Sequence, residues 1–247
     1  MGILSFGMSD IGQKRKTNQD AVYINKRHNI FMVADGMGGH NGGDIASQLT
    51  VKAVPQFFAA HLDADPVATM KSAVYHGNTV VHQHSLKNAV LKGMGTTLNF
   101  LHFRETKAHI ANVGDSRCYL ICQKKLFQLS RDHSLVQEKL FFGVYDRKQA
   151  QNDPMKNVLT RSVGFEESVE VDLYTYKVAR NDLFLVCSDG LHAKVSDQNI
   201  IEIINHFIPD PRVCTQQDIN RAVQFLIHQA NANGGQDNIS IILALAR

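Results

Sequence analysis

The chain has 247 residues, 44% hydrophobic and 20% charged, with a formal net charge of +3, a composition typical of a soluble globular protein. Its one basic run, Lys14–Lys16, is short, which argues against a broad nucleic-acid surface, because such surfaces need many phosphate contacts. No apolar run approaches the roughly 20 residues that span a bilayer, and the start lacks the features of a signal peptide. The four cysteines form no CxxC pair, so we expect free thiols in a reducing cytoplasm.

The first third of the chain predicts a buried strand and two helices. The strand covers Asn29–Asp35 and ends at an aspartate. Asp44 is a candidate N-cap of the first helix, which Pro55 should bend or shorten. Asp65 followed by Pro66 predicts the start of the second helix.

The middle of the chain changes to the period of β-strands. Short β-favouring segments separated by polar or glycine-bearing turns predict an antiparallel meander. These segments are Thr96–Phe103, Ala108–Val113, Arg117–Cys122 and Leu126–Leu129. Residues 134–152 are polar and compatible with helix.

Strands and then helices return in the last third. Strands are predicted at Val169–Val178, Asp182–Cys187 and Ile239–Leu245. Ser196 caps one predicted helix, and Asp218 begins another that Gly234 and Gly235 end. Because helices come in sequential pairs and strands in runs between them, we predict an α+β fold with antiparallel sheets.

Three aspartates occupy similar positions in this pattern. Asp35, Asp189 and Asp237 each lie next to a predicted buried strand and a glycine-containing turn. Carboxylates held close together repel one another unless cations or protons neutralise them. Such an all-oxygen cluster suits Mg²⁺ or Mn²⁺ better than zinc. The alternative is that each Asp-Gly pair only makes a turn.

Other phosphate-binding motifs are absent. The glycine-rich segment after Asp35 fails the G-x-G-x-x-G pattern, because Asn41 stands where the third glycine is required. The chain contains no P-loop, no Cys-x5-Arg loop and no G-x-S-x-G motif. Metal-dependent chemistry is therefore the best enzymatic hypothesis.

Eight short motifs follow one another from residue 12 to residue 238. They are Gly12–Asp20, Val33–His40, Met94–Thr97, Val113–Arg117, Arg131–Ser134, Asn157–Gly164, Cys187–Leu191 and Gly235–Asn238. In this order they resemble the metal-dependent protein serine/threonine phosphatases of type 2C, the PPM family, in their compact bacterial form.

The resemblance implies one catalytic domain over residues 1–247, with a flap subregion at about 135–164. It implies a four-layer αββα sandwich, in which antiparallel helix pairs flank two antiparallel β-sheets. The implied activity is hydrolysis of phosphoserine and phosphothreonine on proteins, opposing a partner serine/threonine kinase. Water activated by two Mn²⁺ or Mg²⁺ ions would attack phosphorus directly, without a phospho-enzyme.

The resemblance also assigns the metal-binding roles. Asp35 would bridge both metals, and Gly36 would offer its backbone carbonyl. Asp189 and Asp237 would complete the shell of one metal. Asp20 would orient metal-bound water from the second shell.

Three further residues have roles implied by their motifs. Arg15 would grip the substrate phosphate with its planar fork of donors, although charge alone would also fit a solvated basic face. Asp115 would help to hold a third, weaker metal. His40 is a candidate proton donor to the leaving serine or threonine oxygen, with packing of the glycine-rich loop as the alternative.

Two positions depart from the family pattern. Gln19 stands where many relatives have glutamate, which predicts weaker binding at that metal or coordination through water. Ala193 stands where relatives often carry an acid near the third metal, so Asp115 lacks a usual companion. These departures motivate a second hypothesis, a catalytically weak module that binds phosphoproteins or a regulator. A third is a metal-dependent phosphoesterase acting on small molecules.

The predicted flap leaves one question open. Residues 135–152 correspond to the flap of bacterial relatives, and Phe141 and Phe142 lie within it. These two rings either pack the flap down or touch substrate.

Overall fold

The computed structural model describes residues 2–37, 42–146, 149–150 and 153–247. Its helices are α1 (Gly43–Ala59), α2 (Pro66–Lys87), α3 (Leu135–Phe141), α4 (Asp189–His192), α5 (Asp197–Phe207) and α6 (Gln216–Ala232). Its strands are β1 (Ile3–Asp10), β2 (Asp20–Asn25), β3 (Ile30–Met37), β4 (Gly95–Thr96), β5 (Leu98–Arg104), β6 (Lys107–Val113), β7 (Arg117–Cys122), β8 (Lys125–Gln128), β9 (Asp172–Lys177), β10 (Leu183–Cys187) and β11 (Ile239–Ala246).

The strands form two antiparallel sheets. The first has the order β1-β11-β10-β7-β8, and the second has the order β2-β3-β5-β6-β9, with β4 paired to β3. Strand β3 shows how the layers are built. Its Phe31 and Val33 side chains pack between the two sheets, whereas Ile30 and Met32 pack under the helices. A strand covered on both faces is hydrophobic along its whole length, as the sequence of β3 is.

Helices cover the outer face of each sheet. Helices α1 and α2 share a core with the second sheet, and α5 and α6 share another core with the first. A third apolar cluster lies between the sheets and includes Phe31, Ile110 and Phe184. The predicted α+β sandwich of four layers is therefore confirmed.

The sequence pattern did not predict β1 and β2, and it predicted β9 too long. Strands β1 and β2 lie at sheet edges, and most of their residues are only half-buried. Half-buried edge strands need little continuous apolar sequence, so their pattern was weak. The strand predicted at Val169–Val178 is shorter, because only Asp172–Lys177 pairs with β6.

Two predicted helix starts were wrong. Gly42, with φ 97°, is the N-cap of α1, and Asp44 lies inside the first turn without capping it. Helix α6 begins before Asp218, because Thr215 and Asp218 form a reciprocal capping box. Pro55 does not end α1, which continues to Ala59.

The predicted N-caps of α2 and α5 are confirmed. The Asp65 carboxylate accepts the Ala68 N–H at 2.8 Å and caps α2, and Ser196 caps α5. All four cysteines are free thiols, as expected. Within the described ranges, no helix is both long and apolar enough to cross a membrane.

Candidate active site

Apart from Asp20, the predicted site residues that the structure describes line one cavity of about 320 Å³. Its walls carry Arg15, Gln19, Asp35, Gly36, Asp115, Asp189 and Asp237, together with Met37, Thr97, Asn157 and Leu159. Asp20 is buried beside this cavity, since its Cα is the cross-strand partner of the Asp35 Cα in the β2–β3 pair. His40 lies outside the described residues.

Two threonines, Thr96 and Thr97, hold the main chain of Asp35 through hydrogen bonds to its N–H and its carbonyl. Its N–H donates to Thr97 Oγ1 at 2.9 Å, and its carbonyl accepts from Thr97 N–H and Thr96 Oγ1, both at 2.9 Å. At the next residue, a Cβ on Gly36 would lie 2.1 Å from the carbonyl oxygen of Gly43. Only glycine allows this close approach, so the backbone next to Asp35 is tightly fixed.

Asp189 has a different setting from the one predicted. It does not lie in a glycine turn after its strand but is the first residue of the short helix α4. Ser188 precedes it, and its Oγ donates to Asp20 Oδ2 at 2.8 Å. One serine therefore connects Asp20 on β2 to the segment that carries Asp189.

Asp237 is held against the loop that carries Arg15. Arg15 Nη2 donates to Asp237 Oδ2 at 2.6 Å, while Asp237 Oδ1 accepts the N–H of Asn238 at 2.9 Å. The Asn238 side chain donates to the carbonyls of Ile11 and Thr17, at 2.9 and 3.1 Å, and accepts the Gln19 N–H at 2.8 Å. Asn238 thus fixes both ends of the Arg15 loop.

Burial and mutual repulsion change the acidity of the aspartates. Burial, with a contribution from the nearby Asp189 and Asp237 charges, raises the pKa of Asp20 to about 7. Burial and the Asp20 charge hold the pKa of Asp35 well above its usual range. Burial and the Asp189 charge raise the pKa of Asp115 to about 8. The positive groups of the protein therefore do not neutralise the negative charge of these three ionised aspartates.

The donor set fits small divalent cations. Among the described residues, the buried Oδ1 atoms of Asp20 and Asp189 have no hydrogen-bond partner. In the described ranges, no three His, Cys, Asp or Glu side chains lie close enough together to hold a metal ion by themselves. Mg²⁺ keeps several waters and is usually held by one or two carboxylates, so an incomplete protein shell of oxygens suits it.

Asp115 also lines a second, larger cavity. This space of about 1080 Å³ lies between α3 and the segment from Asp189 to Gln198. Ala193 is part of its wall, beside Asp115, Asp189 and His192. The methyl group of Ala193 offers no ligand there, in agreement with the departure noted in the sequence.

Sequence reasoning missed the residues that hold the site from behind. Asn238 and Ser188 were recognised only as letters of their motifs. His133 and His192 were given no role, yet His133 accepts the N–H of Gly114 and His192 contacts the carbonyl of Asp115. Asn238, Ser188 and His133 stand in the quoted motifs, whereas His192 lies just beyond one, and only the tertiary structure shows what each side chain contacts.

Comparison with known proteins identifies the family. The family model described as Protein phosphatase 2C matches residues 9–243. The chain belongs to the protein phosphatase 2C family. The serine/threonine phosphatase stp of Listeria monocytogenes is 36% identical over 242 residues, covering 95% of this chain and 92% of the relative.

Solved phosphatase 2C structures share the fold. The serine/threonine phosphatase PstP/Ppp of Mycobacterium tuberculosis superposes with a TM-score of 0.90 at 30% identity, and all of both chains is covered. A structure of the PstP catalytic domain in complex with two manganese ions has a TM-score of 0.86 at 29% identity, with 99% of each chain covered.

Proposed function

We propose that this chain hydrolyses phosphoserine and phosphothreonine esters on proteins, with two Mn²⁺ or Mg²⁺ ions as cofactors. One observation carries the proposal. Asp35, Asp189 and Asp237, far apart in sequence, line one cavity together with Arg15. Family membership and the manganese-bound relative agree with this chemistry.

The metals would be held by Asp35, the carbonyl of Gly36, Asp189 and Asp237. When bound, two such cations lower the pKa of a water and neutralise charge on the phosphate. Asp20 supports this set from behind the cavity. Its Oδ2 atom is occupied by Ser188, which leaves Oδ1 to accept a hydrogen bond from water.

Arg15 is the proposed phosphate ligand. Its side chain is 48% exposed, so a substrate can reach it, and its guanidinium already lies at the aspartate cluster. The fork of N–H donors matches two phosphate oxygens, which lysine would not reproduce. Phosphate would replace Asp237 as its partner and free that carboxylate for metal.

Other roles extend this proposal. Asp115 would hold a weaker third metal, and His40 would protonate the leaving oxygen. The chain would act as one catalytic domain over residues 1–247, with residues 135–164 as a flap beside the site. We further propose a cytoplasmic enzyme that opposes a serine/threonine kinase.

The decisive experiment is hydrolysis of a phosphothreonine peptide with Mn²⁺, with chelator, and by the Asp189→Asn variant. We expect activity only in the Mn²⁺-loaded parent protein, because Asp189→Asn removes a metal ligand. Asp63→Asn is the matched control, since Asp63 is exposed away from the cavity. Activity that survives chelation or Asp189→Asn would refute the mechanism. Hydrolysis of para-nitrophenyl phosphate without any phosphopeptide hydrolysis would favour a small-molecule phosphoesterase instead.

A further inference from the structure

Asp115 lies in a tight turn between β6 and β7. The preceding residue, Gly114, has φ 96°, and a Cβ there would lie 2.6 Å from Thr97 Cγ2. The turn is therefore packed directly against the threonine that also binds the Asp35 main chain. Asp115 borders both cavities of the site. Its carboxylate can serve either of them only if this turn keeps its shape.

The buried side chain of His133 holds the turn from one side. Gly114 N–H donates to His133 Nδ1 at 3.2 Å, and the Gly114 carbonyl accepts the His133 N–H at 2.9 Å. Because a backbone N–H can only donate, Nδ1 must be unprotonated. The proton of the neutral ring is then on Nε2, which faces Asp172 Oδ2 at 3.3 Å.

The environment of His133 supports this tautomer. Arg161 Nη1 lies 3.4 Å from His133 Nε2, but its shorter contact is with Asp172 Oδ1, at 2.8 Å. Tyr174 Oη also donates to Asp172, at 3.0 Å. Asp172 is thus a fixed acceptor, and it orients the imidazole so that Nδ1 points at Gly114.

His192 holds the turn from the other side. A carbonyl only accepts, so His192 Nε2 must carry the proton that it donates to the Asp115 carbonyl, at 3.1 Å. His192 belongs to the four-residue helix that begins with Asp189. It therefore connects the backbone of Asp115 to the helix that carries a proposed metal ligand.

We infer that His133 and His192 are positioning residues, which act through the main chain at Gly114 and Asp115 to aim the Asp115 carboxylate at the metals. Neither ring lines the 320 Å³ cavity where Arg15 and the aspartates meet, and only His192 borders the larger cavity, so neither contacts the proposed phosphate position beside Arg15. The inference depends on the proposed function only for its kinetic readout. The hydrogen bonds themselves and Mn²⁺ binding are tested without substrate.

His133 binds the turn through Nδ1, whereas His192 binds it through Nε2. Asparagine and glutamine substitutions should therefore have opposite effects at the two positions. An asparagine amide occupies the place of Nδ1, whereas a glutamine amide reaches the place of Nε2. At residue 133, His133→Asn should preserve the acceptor for Gly114 and His133→Gln should lose it. At residue 192 the order reverses, so His192→Gln should preserve the donor and His192→Asn should lose it. His84→Asn and His84→Gln, at an exposed histidine of α2, are the matched controls.

Three measurements are compared across these variants. Amide hydrogen exchange of Gly114 follows the His133 hydrogen bond directly. Calorimetric Mn²⁺ titration gives metal affinity, and phosphopeptide kinetics give kcat and KM. For the mismatched variants we expect affinity for the weakest Mn²⁺ and kcat to fall about tenfold, the low end for residues that support metal ligands. KM should not change, and the matched variants should stay within about threefold of the parent protein.

A double-mutant cycle with Asp115→Asn separates positioning from general stability. If the histidines act through Asp115, His133→Gln or His192→Asn should cost little more once the carboxylate has been removed. Equal effects of asparagine and glutamine at both positions, or full additivity with Asp115→Asn, would overturn the inference. If His133→Gln does not fold, the half-buried His192 pair decides the question alone. Loss of Mn²⁺ affinity in the expected order, in a protein that cleaves no phosphopeptide, would support positioning and reject the proposed function.

Discussion

Arg15 Nη2 lies 2.6 Å from Asp237 Oδ2, so the proposed phosphate ligand and a proposed metal ligand share one hydrogen bond. The contact raises the pKa of Arg15 above its ordinary value, chiefly through that hydrogen bond, and keeps the side chain charged. A divalent cation that takes Asp237 Oδ2 would compete with the guanidinium. Metal binding and release of Arg15 toward substrate are therefore expected to favour each other.

Replacing Arg15 should separate substrate binding from metal binding. Arg15→Lys keeps the charge but loses the fork, so we expect kcat/KM for a phosphopeptide to fall about 10–100-fold, the equivalent of one charged hydrogen bond. Mn²⁺ affinity should be unchanged or tighter, because the competitor for Asp237 is weakened. Enzyme kinetics and calorimetry on the same preparations measure both. Lys16→Ala is the control, and weaker Mn²⁺ binding in Arg15→Lys would contradict this account.

Gln19→Glu should tighten metal binding. Gln19 lines the aspartate cavity. Its Nε2 lies close to Gly43, which in turn contacts the backbone of Gly36. A carboxylate there adds negative charge where cations are expected, so the Mn²⁺ concentration for half-maximal activity should fall about tenfold, which corresponds to about 1.4 kcal/mol. With chelator, the same variant should be less stable than the parent protein because like charges accumulate. An unchanged Mn²⁺ dependence would show that residue 19 does not influence the metals.

Asn238→Asp should loosen the Arg15 loop. The change is nearly isosteric, but it replaces an amide donor by an oxygen that faces the carbonyls of Ile11 and Thr17. Two carbonyls lose their donor, so we expect the free energy of unfolding to fall by about 2–4 kcal/mol. Urea denaturation measures this loss. Asn233→Asp, at the exposed end of α6, is the matched control and should cost much less.

Stability should decrease in mild acid because of His102. Burial lowers the pKa of this histidine to about 4, and its ring packs edge-on against Phe58. The unfolded state, with a pKa near 6.5, binds a proton first as the pH falls. The stability that the neutral His102 contributes is therefore fully present above about pH 6.5 and is lost progressively toward pH 4. At pH 5 the loss in the free energy of unfolding is on the order of 2 kcal/mol.

His102→Asn tests this contribution. The amide retains a donor for the Asn29 carbonyl, which His102 Nδ1 contacts at 3.3 Å, but it does not titrate. Denaturant unfolding from pH 7.5 to pH 5 should show a smaller loss of stability in the variant than in the parent protein. The difference isolates His102 from His109, His133 and His192, whose pKa values burial also lowers. Parallel pH curves for the two proteins would show that His102 is not the responsible group.

The candidate site shows what sequence could anticipate. Asp35, Asp189, Asp237 and Arg15 could be predicted as site residues because each stands in a short motif of glycine and polar residues. Ser188 and Asn238 were not assigned a function, because a hydrogen bond to residues more than 160 positions away leaves no local pattern. The edge strands β1 and β2 were missed for a similar reason, since their conformation is set by pairing with β11 and β3.

The sequence alone determined the α+β class, the core strands and the helix pairs, because burial on one or both faces dictates hydrophobic spacing. It also predicted the aspartates of the candidate site, through the order of their motifs. Tertiary structure alone decided that Asp20 pairs with Asp35 across two strands, that Arg15 reaches Asp237, and that two histidines hydrogen-bond to the main chain of Gly114 and Asp115. These contacts depend on strand pairing, loop conformation and packing between separate elements, and local hydrophobic spacing does not encode which side chains meet there.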